Sequence, residues 1–275
     1  MIMKWTLPNR CWILVLVGCS LSATIASAQD GDAADLAKKA TNPLSNIISL
    51  PLQLNTDFGI GPHDRTGTVL NIQPIYPVSL GKGTLINRMI APIPKYTPDA
   101  SLSSGGTTGI GDITVMNWYA PEPKGAFMWG AGPVTVWPTA TDETLGSDKF
   151  SVGPSLVFVL SNPKFVAASV IMAWWSVAGK EEAADVGTFY WQPIFSYFLP
   201  NRWYAVTSPV ILKDLKATEG QESWIVPLGG GIGKMFSLGN LPVDFSTQAY
   251  YYAVAPEGGP NWLLRVQFKL IFAKN

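Results

Sequence analysis

Asn261 to Phe272 reads NWLLRVQFKLIF. Trp262, Leu264, Val266, Phe268, Leu270 and Phe272 fall on one side of an extended chain, and Asn261, Arg265, Gln267 and Lys269 fall on the other. Period-two alternation over this length means a β-strand with two chemically different faces. Residues 46–60 repeat the pattern, with Ile48, Leu50, Leu52, Leu54, Phe58 and Ile60 set against Ser49, Gln53, Asn55 and Asp57.

Turn signals divide the chain into about twelve such segments, at 46–60, 66–79, 84–94, 110–120, 125–138, 150–160, 165–178, 188–199, 202–212, 223–236, 242–254 and 261–272. Most exceed the five or six residues usual in soluble sheets and suit a tilted strand crossing a bilayer. The connections alternate. Short ones are Gly81-Lys82-Gly83, Pro121 to Lys124, Ser161 to Lys164, Pro200-Asn201 and Ser237 to Leu241; longer polar ones are Gly61 to Arg65, Lys95 to Gly109, Thr139 to Lys149, Gly179 to Gly187, Lys213 to Glu222 and Ala255 to Pro260. An even number of antiparallel strands with short turns at one rim and long loops at the other predicts an all-β fold, a transmembrane β-barrel of about twelve strands. The long loops face outward.

Composition agrees. The 275 residues carry 19 basic and 19 acidic side chains, only 14% of residues are charged, and 47% are hydrophobic. Zero formal net charge excludes a strongly basic nucleic-acid binder and an acidic tail. No window after the first thirty residues reaches the roughly 18 apolar residues of a spanning helix; Phe165 to Ala178 is the nearest and holds two serines. Backbone groups in lipid must pair internally, which leaves a closed sheet.

Residues 1–28 read as an export signal: Lys4 and Arg10, then an apolar run from Cys11 to Gly18, then a small-x-small site at Ala26-Ser27-Ala28. Leu16-Val17-Gly18-Cys19 offers the alternative of lipoprotein cleavage with an acylated Cys19. Cleavage after Ala28 removes both cysteines and leaves 17 basic against 19 acidic residues. Residues 29–45 form a periplasmic lead-in before the barrel at 46–275. Within it Asp32 to Thr41 carries helix formers, early acids and late lysines, followed by Asn42-Pro43. A short periplasmic helix, a partial lumen plug and a flexible segment all fit that pattern.

Trp118-Tyr119, Trp203-Tyr204 and Phe272 lie beside the short-turn rim, and Trp137, Trp174-Trp175, Trp224, Tyr250 to Tyr252 and Trp262 lie toward the long loops. They read as two interfacial girdles. Pro74, Pro133, Pro154, Pro193, Pro209 and Pro227 fall inside strands and read as bulges or breaks.

Several segments resemble a bacterial outer-membrane family. They are Leu36 to Ala40 followed by Asn42-Pro43 and Ile47 to Gln53, Gly109-Ile110-Gly111-Asp112, Trp137 to Thr141, Leu145-Gly146-Ser147 with Lys149-Phe150-Ser151 and Gly153-Pro154, and Gly258 to Trp262 with Arg265. That family carries the misnomer "neuromedin U" and is similar to the barrels named for the meta-pathway of phenol degradation. The likeness spans nearly all the chain after the leader, and 137–154 is its most specific part. It implies a transport-type barrel whose cargo is poorly defined. One departure is that Ala273-Lys274-Asn275 follows Phe272, where such barrels finish on an aromatic residue.

Charged and amide side chains on the face opposite the apolar rows are costly against lipid, about 2–4 kcal/mol for Arg or Lys at the midplane. Gln53, Asn55, Asp57, Asn71, Gln73, Gln192, Asp244, Gln248, Arg265, Gln267 and Lys269 are therefore the candidates for lining a polar lumen. Their mixed signs predict no strong ion selectivity. Twelve strands leave an open channel and a filled interior both possible.

No residue reads as catalytic. His63, the one histidine, stands beside Asp64 in a turn, where a solvated role outweighs that of a base. Asp142-Glu143 and Glu181-Glu182 with Asp185 read as solvated loop charge rather than a cation site. Gly229 to Lys234 lacks the spacing of a phosphate loop and reads as a bend in the wall. No cofactor or metal is implied. The partners implied are outer-membrane lipid and lipopolysaccharide, the outer-membrane assembly machinery, and a small-molecule cargo. The first reading is a transporter or channel; a structural or surface-interaction barrel with a filled lumen, an outer-membrane lipid hydrolase and a soluble lipid-binding β protein are the alternatives.

Overall fold

The computed structural model describes residues 30–272, with side chains from residue 36. The leader, Cys19 and the last three residues lie outside the described residues. One helix, α1 (Asp30–Thr41), precedes fifteen strands: β1 (Ile48–Ile60), β2 (Arg65–Ile72), β3 (Ile75–Ser79), β4 (Gly83–Pro98), β5 (Gly106–Gly109), β6 (Ile113–Pro121), β7 (Phe127–Trp137), β8 (Lys149–Ser161), β9 (Phe165–Gly179), β10 (Gly187–Phe198), β11 (Trp203–Thr207), β12 (Ile211–Asp214), β13 (Trp224–Leu238), β14 (Leu241–Val254) and β15 (Trp262–Phe272). Three pairs, β2 with β3, β5 with β6 and β11 with β12, are halves of interrupted staves, so the wall is a closed antiparallel barrel of twelve. It closes where β1 meets β15, from Ile48 opposite Phe272 to Phe58 opposite Trp262.

The interruptions have chemical causes. Pro74 separates β2 from β3, and Pro209 separates β11 from β12, because proline offers no N–H to the ladder. Pro227 stands at a register shift between β13 and β14. Pro133, Pro154 and Pro193 differ from the expected bulges and breaks, for they remain inside unbroken strands. Pro133 faces Pro154 across β7 and β8, and glycines precede both. A Cβ on Gly132 would stand 1.8 Å from the Asn117 carbonyl oxygen, and one on Gly153 1.8 Å from that of Ala173. The glycines let adjacent strands stay close where the prolines supply no donor.

One boundary moves. The long connection 95–109 is partly a hairpin, since β4 runs on to Pro98 and pairs with β5, where Tyr96, Thr97, Thr107 and Thr108 favour extended backbone. The Arg65 guanidinium ties its tip, donating to the carbonyls of Asp99, Leu102 and Gly105 and to the Tyr96 hydroxyl.

Leu228, Ile232, Leu264 and Phe268 are among the apolar side chains left exposed around the outside of the wall. The girdles need correction. Trp118, Tyr204 and Tyr250 are buried inside, while Tyr119, Trp203 and Tyr251 are exposed. Successive residues of a strand point to opposite faces, so only one of each adjacent aromatic pair reaches lipid.

The lead-in is helical and enters the short-turn end of the barrel. The Thr41 hydroxyl bonds back to the Ala37 and Lys38 carbonyls, and Asn42 Oδ1 accepts from the Leu44 N–H, which ends the helix ahead of the chain's turn into β1. Ala37 and Ala40 are buried against Met235 and Ile271. Leu44 joins a core with Ile86, Met116 and Trp118. The Ala40 carbonyl, free because the helix ends there, accepts from Lys269 Nζ.

Candidate functional site: the polar side of the lumen

The barrel interior has two halves. On the inner faces of β4 and β6–β9, Ile86, Met116, Trp118, Val134, Val157 and Val170 pack into a continuous apolar core. Trp118 is fully buried, and its indole N–H donates to Ser155 Oγ at 2.6 Å. Opposite this core, the inner faces of β1, β2, β10, β14 and β15 carry the polar side chains.

Two cavities follow the polar side. The one nearer α1, of about 90 Å³, is lined by Gln53, Gln73, Gln192, Asp244, Gln248, Gln267 and Lys269. The one toward the long loops, of about 490 Å³, is lined by Asn55, Asp57, Asn71 and Arg265 and shares Gln53, Gln73 and Gln192 with the first. All eleven sequence candidates thus border the interior cavities. Residues 40–43 and Ser45 form the floor of the smaller cavity, and Asn42 and Ser45 also border a third pocket that opens at the short-turn rim.

Hydrogen bonds fix these side chains. Arg265 donates from Nε to Asn55 Oδ1 at 2.9 Å and from Nη1 to the Ser208 carbonyl at 2.7 Å, with its guanidinium 5.3 Å from the Tyr250 ring centre. Gln248 Oε1 accepts from the hydroxyls of Ser208 and Tyr250. The Tyr252 hydroxyl donates to Asp57 at 2.7 Å, and the Tyr204 hydroxyl donates to Asp244 at 2.6 Å. The second carboxylate oxygen of Asp244 is buried without a partner.

The glycine run in β13 lets β14 backbone and the Tyr204 ring approach closely. Gly229, Gly231 and Gly233 face Tyr250, Gln248 and Tyr204 across the ladders, and a Cβ on Gly233 would stand 2.1 Å from the Tyr204 ring. Tyr204 lies flat on bare backbone, which is the use of glycine here.

Arg88, Ser208 and Tyr190 were not among the sequence candidates. Arg88 borders both cavities and donates to Gln73 Oε1 at 2.6 Å. Its signal was the one charge in the segment 84–94, masked because apolar residues occupy both faces there. Ser208 had none, since its role comes from the Pro209 break, which turns its carbonyl toward Arg265.

A loop is latched at the long-loop end. Asp112, beside the β5–β6 interruption, accepts from the Ala140 N–H at 3.2 Å and from the N–H and hydroxyl of Ser147 at 2.7 and 2.8 Å. Lys95 Nζ donates to the Leu145 carbonyl at 2.9 Å, and Leu145 is buried. Asp112 and the loop 138–148 therefore form one contact. Outside the wall, Asp142 caps the short turn Glu143–Leu145, and the Thr144 N–H and hydroxyl hold its carboxyl below the usual aspartate range. His63 stands exposed in the β1–β2 turn, with no hydrogen bond to a serine among the described residues.

The wall matches known architecture. An outer membrane channel from Pseudomonas putida F1 superposes with a TM-score of 0.62 at 15% identity, over 84% of this chain and 98% of that one. The fold is that of an outer-membrane barrel. A NanC porin structure superposes with a TM-score of 0.54 at 8% identity, over 82% of this chain and all of that one. No family model matches the sequence, and no curated protein matches it. The closed wall and its apolar exterior locate the barrel in the outer membrane.

Proposed function

We propose that this barrel is a channel or transporter for small molecules, with a route along the polar side of the lumen and a floor formed by residues 40–45. The observation that carries the reading is the row of polar cavities between the packed apolar half of the interior and β13–β15. A barrel built only for rigidity gains nothing from burying Arg265 and Asp244 and turning Arg88 and Asp57 inward, since each charge costs desolvation that a hydrophobic residue does not. Outer-membrane lipid, lipopolysaccharide and the assembly machinery are the partners such a barrel takes.

The apolar core around Trp118 favours the second reading, a barrel with a filled lumen that acts at its surface. Planar-bilayer recording of the refolded protein separates them. The transport reading gives discrete conductance steps that enlarge when residues 30–45 are deleted. A bilayer sealed to ions with both chains contradicts it.

A further inference from the structure

The interior contains two guanidiniums with no carboxylate on either. Arg88 and Arg265 border the same cavity of about 490 Å³, and among the described residues neither forms an ion pair. Their hydrogen-bond partners are neutral: Gln73 for Arg88, and Asn55 and Ser208 for Arg265. The Arg88 Nε–H is buried and has no acceptor at all. A largely enclosed cation without a counter-charge is a costly arrangement, and one that lines a cavity points to an anion that completes it. Asp57 also faces the cavity, but it sits opposite Leu263, one inward position beyond the Asn55–Arg265 pair, and is engaged by Tyr252. Two positive charges and one negative leave the cavity net positive.

Beside these charges and the amides, the cavity has apolar walls. Val69, Ile90, Leu212, Ile225 and Leu263 line it. A planar fork with spare donors suits a carboxylate, and the apolar walls suit a hydrocarbon body behind it. We propose that this cavity binds small amphipathic carboxylates, with Arg88 as the residue that grips the carboxylate oxygens and Arg265 as a fixed second charge. Inorganic ions lack the body that the walls would cover, and uncharged aromatics lack the acceptor that Arg88 requires.

This rests on the transport reading for its physiological sense, yet the two fail separately. A sealed barrel that binds a carboxylate removes transport alone; a conducting barrel indifferent to carboxylates removes the anion site alone. The test is calorimetric titration of the full barrel, in phosphatidylcholine nanodiscs, with benzoate and with benzamide. Benzoate binds about tenfold or more tightly than benzamide, and Arg88→Gln weakens benzoate by about 10- to 100-fold while leaving benzamide unchanged, as loss of a charged hydrogen bond does. Asp57→Asn, which leaves both arginines in place, tightens benzoate. Equal binding of the two probes, absence of benzoate binding, wild-type benzoate affinity in Arg88→Gln, or weaker binding in Asp57→Asn overturns the proposal.

Discussion

Arg265 and Asn55, 210 residues apart, hydrogen-bond directly across the seam where the last strand meets the first, Nε to Oδ1 at 2.9 Å. The bond joins barrel closure to lumen chemistry in one contact. Arg265→Ala takes the shorter hydrogen bond from Asn55 and from the Ser208 carbonyl, leaves them the longer ones from Gln53 and Gln192, and removes the contact with Tyr250. Stability falls by about 1.5–3 kcal/mol for each hydrogen bond to the guanidinium that is lost. Asn55→Ala costs less, because Arg265 retains Ser208. Denaturant unfolding of both variants in lipid checks the order.

The lead-in is fastened by Lys269 Nζ on the Ala40 carbonyl. Lys269→Ala increases open time in bilayer recordings, and adding it to a chain lacking residues 30–45 has no further effect. Additive effects in the double variant show that Lys269 acts on conduction by some route other than the floor.

Asp112 holds the 138–148 loop through three hydrogen bonds. Asp112→Ala costs about 1–3 kcal/mol. Amide exchange at Ala140 and Ser147 rises, while exchange in β14 and β15 stays at the wild-type rate.

Acid loosens the same loop from its tip. The Asp142 carboxyl is held below its usual range by Thr144, so its contribution is present above the ordinary aspartate value of about 3.9 and is lost as pH falls through the lower folded value. Exchange at the Thr144 amide accelerates at that acid limb, and Asp142→Ala shows the fast rate at neutral pH.

Gly153→Val places a branched side chain where a Cβ already stands 1.8 Å from the Ala173 carbonyl oxygen. Overpacking of this kind costs about 1–3 kcal/mol or more. The yield of folded, heat-modifiable barrel in refolding drops, whereas Gly125→Ala, in a turn with open space but a φ of +76°, has the smaller effect.

Strand placement was legible because the period-two pattern is local: residues 261–272 show both faces without reference to any neighbour. The inward row on β1 and β15 was legible for the same reason, since Gln53, Asn55 and Asp57 alternate with Leu52, Leu54 and Phe58, and Arg265, Gln267 and Lys269 with Leu264, Val266 and Phe268. Arg88 was not, because β4 has apolar residues on both faces, one against lipid and one against the core around Trp118. Nor was the division of the lumen into greasy and polar halves, which depends on which strands become neighbours. Trp118, Tyr204 and Tyr250 were assigned to lipid by closeness to a rim, although alternation alone would have sent one of each adjacent pair inward.

The central claim is that β15 separates hydrocarbon from a polar interior. Nitroxide labels at Leu264 and Phe268, compared with Gln267 and Lys269, test it most directly. The first pair collides with dissolved oxygen and the second with aqueous nickel chelate. Water-like accessibility at Leu264 and Phe268 contradicts it.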